Sequence, residues 1–207
     1  MIAAGTIGFY LISPQLFTHL QDHLNQELVF YTVAEPFLAH LRLALSVTIF
    51  SLLPIIAMII WRALSKPFKL SALSQIVFAL FTCLLFYSGS LFCYFITLPY
   101  GIEFLLSFQS EELQPIISVG KFVTFVTVFI LAFGVIFELP VIMVFTAKTG
   151  LLSRRSFEKG RRYAILVIAI AAALLTPTPD VVNMGLMGGP LYLLYEIGIL
   201  VLRILRL

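Results

Sequence analysis

Between Arg42 and Arg62 no residue of this chain is charged, and the same holds between Lys69 and Glu103. Lys121 and Lys148 enclose a third apolar run, interrupted only by Glu138. A helix that crosses a bilayer needs about 20 mostly apolar residues. The runs therefore predict spans at about residues 40–61, 73–98 and 121–148. A fourth run of about 15 residues follows Arg162 as far as Thr176, and a fifth covers about 184–202 and contains Glu196. Composition agrees: 61% of the 207 residues are hydrophobic and 11% are charged. Soluble domains average about 45–50% and about 25%. So few charges cannot cover a wet surface, which excludes a soluble enzyme and a disordered chain. A net charge of +3 spread this thinly also argues against a nucleic-acid binder.

Residues 1–12 are apolar but too short to cross alone, and they lack the charged leader and cleavage site of a signal peptide. They read as the outer part of a first spanning helix whose inner part precedes this chain, or else as a short helix lying within the bundle. Basic residues then fix orientation. Arg62, Lys66 and Lys69 follow one span; Lys148, Arg154, Arg155, Lys159, Arg161 and Arg162 follow another; Arg203 and Arg206 close the chain. These are 11 of the 13 Lys and Arg, and the positive-inside rule makes their side cytoplasmic. Asp22, Glu27, Glu35, Glu103, Glu111, Glu112 and Asp180 fall on the other side. The expectation is one all-α membrane domain, residues 1–207, of six kinked helices with both ends inside. Leu16, Phe17, Leu20 and Leu24 predict a further helical piece lying along the outer surface.

No reaction chemistry is legible. His19 and His23 are spaced for a metal but lack a third ligand. Cys83 and Cys93, ten residues apart on one helix, stand about 15 Å from each other, too far for a disulfide. No catalytic residue, metal site or cofactor is expected. Polarity inside the membrane says more. A charge in the hydrocarbon costs at least about 2.5–3.5 kcal/mol, so it normally faces protein or water. Glu138 is followed by Pro140, which removes a helical hydrogen bond and leaves a carbonyl free beside the carboxyl. This predicts a kink carrying a proton-sensitive or partner-contacting group. Glu196 lies two turns from Arg203 and reads as snorkelling to the inner interface, or as functional. Asp180, after Thr176-Pro177-Thr178-Pro179, is placed to cap the last helix. Arg42 and Lys121 read as interfacial anchors, and Pro36, Pro54 and Pro99 as kink or helix-start residues.

Several motifs, ordered along the chain, carry a family resemblance. They are Ala34-Glu35-Pro36-Phe37, Leu85-Phe86-Tyr87-Ser88-Gly89, and Ala132-Phe133-Gly134 with Phe137-Glu138-Leu139-Pro140. Arg161-Arg162-Tyr163, the Thr-Pro-Thr-Pro-Asp tip, and Pro190 with Leu194-Tyr195-Glu196-Ile197-Gly198 complete the set. From about residue 10 to 203 the chain resembles the TatC family, the polytopic core of the twin-arginine protein translocase. Pro14 matches the proline after the family's first helix.

The resemblance implies a concave, glove-like wall in a bacterial inner (plasma) membrane, in preference to a thylakoid or mitochondrial one. It implies recognition of twin-arginine signal peptides of folded cargo, and organisation of TatA- and TatB-like single-span subunits for export driven by the proton-motive force. Self-association is left open. Phe133, Glu138, Pro140, Tyr195 and Glu196 would meet a partner or signal helix, and Pro14, Pro36 and Asp180 would belong to the outer cap. The chain departs from the pattern at two points. Residues 62–75 contain no acid, with Ser71 about where a signal-binding glutamate is expected, and Met184 stands where a glutamine is frequent. The other reading of the residues is a small proton-coupled secondary transporter using Glu138 and Glu196, although paired halves with matching broken helices are missing.

Overall fold

The computed structural model describes residues 6, 8–10, 13–24, 28–29, 31–32, 34–106, 117–175 and 181–206. The helix expected from Leu16, Phe17, Leu20 and Leu24 is α1 (Ser13–Leu24). A strand, β1 (Leu28–Val29), leads into α2 (Ala34–Phe68) and α3 (Ala72–Phe92). A π turn, Cys93–Thr97, joins α3 to α4 (Leu98–Leu106). Then come β2 (Ile117–Ser118), α5 (Val119–Ile136), α6 (Leu139–Lys148), α7 (Arg154–Lys159), α8 (Arg161–Leu175) and α9 (Val181–Ile204). Apart from the two-residue parallel pairing of β1 with β2, the described fold is helical. The proline tip with Asp180 lies outside the described residues.

Three helical stretches are long and apolar enough to cross a membrane: Ala34–Phe68, Ala72–Glu103 and Val119–Lys148, with mean hydropathy of 2.6, 2.1 and 2.6. Their bounds correct the sequence reading. α2 runs past Arg62 and Lys66, because both are good helix formers whose long stems can carry the charge to water. It stops where Lys69 turns to φ 49° and Leu70 N–H bonds back to the Ser65 carbonyl at 3.1 Å, a Schellman closure. Most of residues 62–75, outside the spans expected from the runs, is therefore helix. The second apolar run stays helical beyond residue 98. Pro99 has no N–H to give the turn before it, and the wide π turn takes up that lost bond. The run at 121–148 is helical on both sides of a two-residue break at Phe137–Glu138, where the kink was expected.

α3 packs against α2 and α5, α2 also meets α5, and α9 lies against α6 and α8. Phe122, Val126, Phe129, Phe133 and Phe137 form the spine of the main core. Outward, Leu73, Val77, Leu80, Leu84 and Leu91 are exposed at helical spacing along α3. An apolar stripe left open in this way suits lipid rather than water.

The α3–α5 crossing is closed by two glycines. A Cβ on Gly89 would lie 2.7 Å from Phe137 Cβ and 2.8 Å from the Phe133 carbonyl oxygen. One on Gly134 would lie 2.7 Å from the Phe86 ring. Each helix thus presents a glycine to an aromatic residue of the other, and the backbones approach as only small residues permit.

Candidate functional site

α5 ends at Ile136 because Pro140 cannot donate to the carbonyl of that residue. Phe137 N–H still reaches the Phe133 carbonyl at 3.0 Å, but Glu138 N–H bonds three residues back, to Val135, at 3.1 Å. The tightened turn restarts as α6 with Pro140 in its first turn, where no N–H is needed. Glu138 is thereby held at a break within the third apolar stretch. It is partly buried, and its Oε1 has no hydrogen-bond partner. The carboxyl faces α3 at Thr82. Thr82 in turn accepts the Trp61 indole N–H at 3.0 Å. Trp61 stacks on Phe78, ring centroids 4.6 Å apart, and meets Phe145 edge-on at 5.2 Å. Sequence reasoning missed Trp61 and Thr82. A tryptophan within an apolar run hints at a buried partner, but nothing in sequence says which one.

The other expected site residues fall in two places. Phe133 is buried beside the break, packed on Phe92 and Phe129 at 6.3 and 5.4 Å. It builds the wall behind Glu138 rather than offering a surface. Pro140 is buried too, its Cα 3.5 Å from where a Cβ on Gly198 of α9 would stand. Tyr195 and Glu196 lie further along, where α7 and α8 dock on α9. Tyr195 OH donates to the Phe157 carbonyl at 2.8 Å, which pins α7. Glu196 does not simply snorkel. It accepts from Arg161 Nε and Nη2, each at 2.9 Å, and from Tyr192 OH at 3.0 Å. Glu158 pairs with Arg154 at 3.2 Å and with Arg203 at 3.5 Å. Among the described residues no contact joins Glu138 to Glu196, and no cluster of ligating side chains could hold a metal.

At the opposite end, Pro14 is exposed in the first turn of α1, and Pro36 occupies the first turn of α2. Glu35 beside it was passed over as a site residue, yet its carboxylate ties three segments. Oε1 accepts from Ser118 Oγ and from Gly120 N–H at 3.1 Å, while Oε2 accepts Tyr31 N–H at 2.8 Å. An acid at the start of α5 also opposes the positive end of that helix. Arg42 is more than an anchor, since it donates to Thr124 Oγ1 and to the Gly120 carbonyl. Glu35→Ala leaves these donors without a carboxylate and lowers the melting temperature of the detergent-solubilised protein by about 2–6 °C. An unchanged melt would assign the closure of this end to the β1–β2 pairing alone.

Comparison with known proteins places this geometry. The family profile for the Sec-independent protein translocase protein (TatC) matches residues 1–190. TatC of Carboxydothermus hydrogenoformans is 35% identical over 186 residues, covering 88% of this chain and 76% of its own. TatC of Desulforapulum autotrophicum is 34% identical, covering 98% and 77%. The crystal structure of the twin-arginine translocase receptor TatC in DDM superposes with a TM-score of 0.83 at 28% identity, over 97% of this chain and 92% of that one. Family profile, relatives and fold agree along nearly the whole length, and the chain belongs to the TatC family, whose members are non-enzymatic membrane components of Sec-independent protein transport.

Proposed function

We propose that this chain is the single-domain core subunit of a twin-arginine translocase in a bacterial inner membrane. It receives signal peptides of folded cargo and organises TatA- and TatB-like single-span subunits for export driven by the proton-motive force. The observation that carries the reading is Glu138, a carboxylate at a helix break in an apolar wall, with one buried oxygen left unpartnered. A group so costly to place there is retained for something that arrives from the membrane. Six spans with both ends inside, and a concave wall, complete the proposal. Pro14, Pro36 and Asp180 would shape the outer cap, and Tyr195 and Glu196 would brace the inner end of α9. No twin-arginine carboxylate is assigned to this chain. The region at 62–75 has no acid, and Glu158 and Glu196 already hold arginines.

Val135 and Ile142 flank Glu138 three and four residues away and are 62% and 54% exposed. A photo-crosslinking residue at either position, in membranes holding the single-span subunits and a twin-arginine precursor, is expected to form an adduct with a single-span or signal helix. The same probe at Leu73, on the open stripe of α3, is expected to label lipid alone. Equal adducts at all three positions would remove Glu138 from the site. Small-solute flux through liposomes holding this chain alone would overturn the translocase reading in favour of the secondary transporter.

A further inference from the structure

We propose that Thr82 is the positioning residue of the Glu138 site, its hydroxyl aimed by the Trp61 indole so that its proton is given to the Glu138 carboxyl. This rests on the reading of Glu138 as a partner contact. A threonine in a helix commonly gives its proton to the carbonyl three or four residues back. Thr48, Thr127, Thr146 and Thr149 do so, at 2.7 to 2.9 Å. Thr82 is engaged differently: its oxygen accepts the indole N–H, and its hydroxyl stands against Glu138. The N–H occupies the lone pair on the Trp61 side, which leaves the proton free to point the other way.

The indole itself is fixed. Trp61 is 5% exposed, held between Phe78 of α3 and Phe145 of α6. Three helices therefore orient one hydroxyl, which lies on the α3 side of the carboxyl. Oε1 is buried without a partner, and the remaining, half-buried part of the carboxyl is what an incoming hydrogen-bonding side chain meets. A partner helix so met pays little to order the carboxyl, since the protein has ordered it beforehand.

The test uses the assembled translocase, reading both export of a twin-arginine reporter and adduct yield from the probe at Val135. Thr82→Val removes the hydroxyl at nearly constant volume and is expected to lower both readouts about threefold to tenfold. Thr82→Ser restores the hydroxyl and is expected to return them to within about twofold of wild type. Trp61→Phe, which keeps a ring but loses the N–H, falls between. Thr82→Val added to Glu138→Ala produces no further loss, because the two act through one group. Equal defects in Thr82→Val and Thr82→Ser, or a full additional loss in the double variant, would reduce Thr82 to packing and overturn the proposal. Normal Thr82→Val with defective Glu138→Ala overturns the positioning role alone; normal Glu138→Ala overturns the partner-contact reading beneath it. Should Thr82→Val fail to insert, Trp61→Phe decides: wild-type behaviour there refutes the aiming of the hydroxyl.

Discussion

Glu138→Ala lowers export of a twin-arginine reporter about tenfold while the amount of inserted protein stays within about twofold of wild type. Both halves follow from where the carboxyl sits. Insertion does not suffer, because a charged side chain in a span opposes membrane entry and alanine removes that cost. Export suffers, because the lost group is the half-buried carboxyl at the helix break. A hydrogen bond between helices within the membrane contributes about 0.6–2 kcal/mol, which corresponds to about threefold to thirtyfold in partner occupancy. Glu138→Gln separates two accounts of the defect. Glutamine keeps the length, an acceptor oxygen and added donors, so it should retain at least about a third of export if hydrogen bonding is the role. It cannot carry a proton, so a carrier role predicts that it fails as fully as alanine. Export at the wild-type level in Glu138→Ala would take this residue out of the mechanism.

Glu138 could be found from sequence because a lone acid within a long apolar run is conspicuous. Three spans were legible for the same reason, since charge is scarce and falls between them. Their ends were less so: charges mark the water boundary, whereas α2 continues to Phe68, beyond two basic residues. Pro140 signalled a disturbed helix but not its extent, and the π turn before Pro99 left no mark in the pattern. Least legible were contacts between helices. Glu196 meets Arg161 from 35 residues away, Glu35 meets Ser118 from 83, and Trp61 meets Thr82 from 21. Hydropathy says that two helices lie in the same membrane, not which faces touch. Phe133 shows the consequence. Its motif placed it at the site, while its side chain turns into the core and supports the site from behind.

Gly89→Val is expected to lose most of the folded protein, a larger stability effect than removal of any polar group described above. Even alanine there places a Cβ 2.7 Å from Phe137 Cβ and 2.8 Å from the Phe133 carbonyl oxygen. Neither atom is the end of a flexible chain that could swing aside, so the helices themselves must separate. Overpacking of this kind costs about 1–3 kcal/mol for a modest insertion, and valine adds two methyl groups to the same place. Gly89→Ala should therefore melt several degrees below wild type in detergent, and Gly89→Val should be degraded or aggregate on extraction. Gly101 and Gly185 provide the controls, because a Cβ on either meets nothing within 4 Å. Alanine at those helical positions should be neutral or slightly stabilising, as glycine gives up more chain entropy on folding. The two effects also connect. Phe137 precedes Glu138 at the break, so a separation forced at Gly89 moves the carboxyl away from Thr82. Gly89→Ala, although still folded, should then export less well than its melting temperature alone implies. If its export merely tracks the amount of folded protein, the α3–α5 crossing supports the fold without setting the geometry of the site.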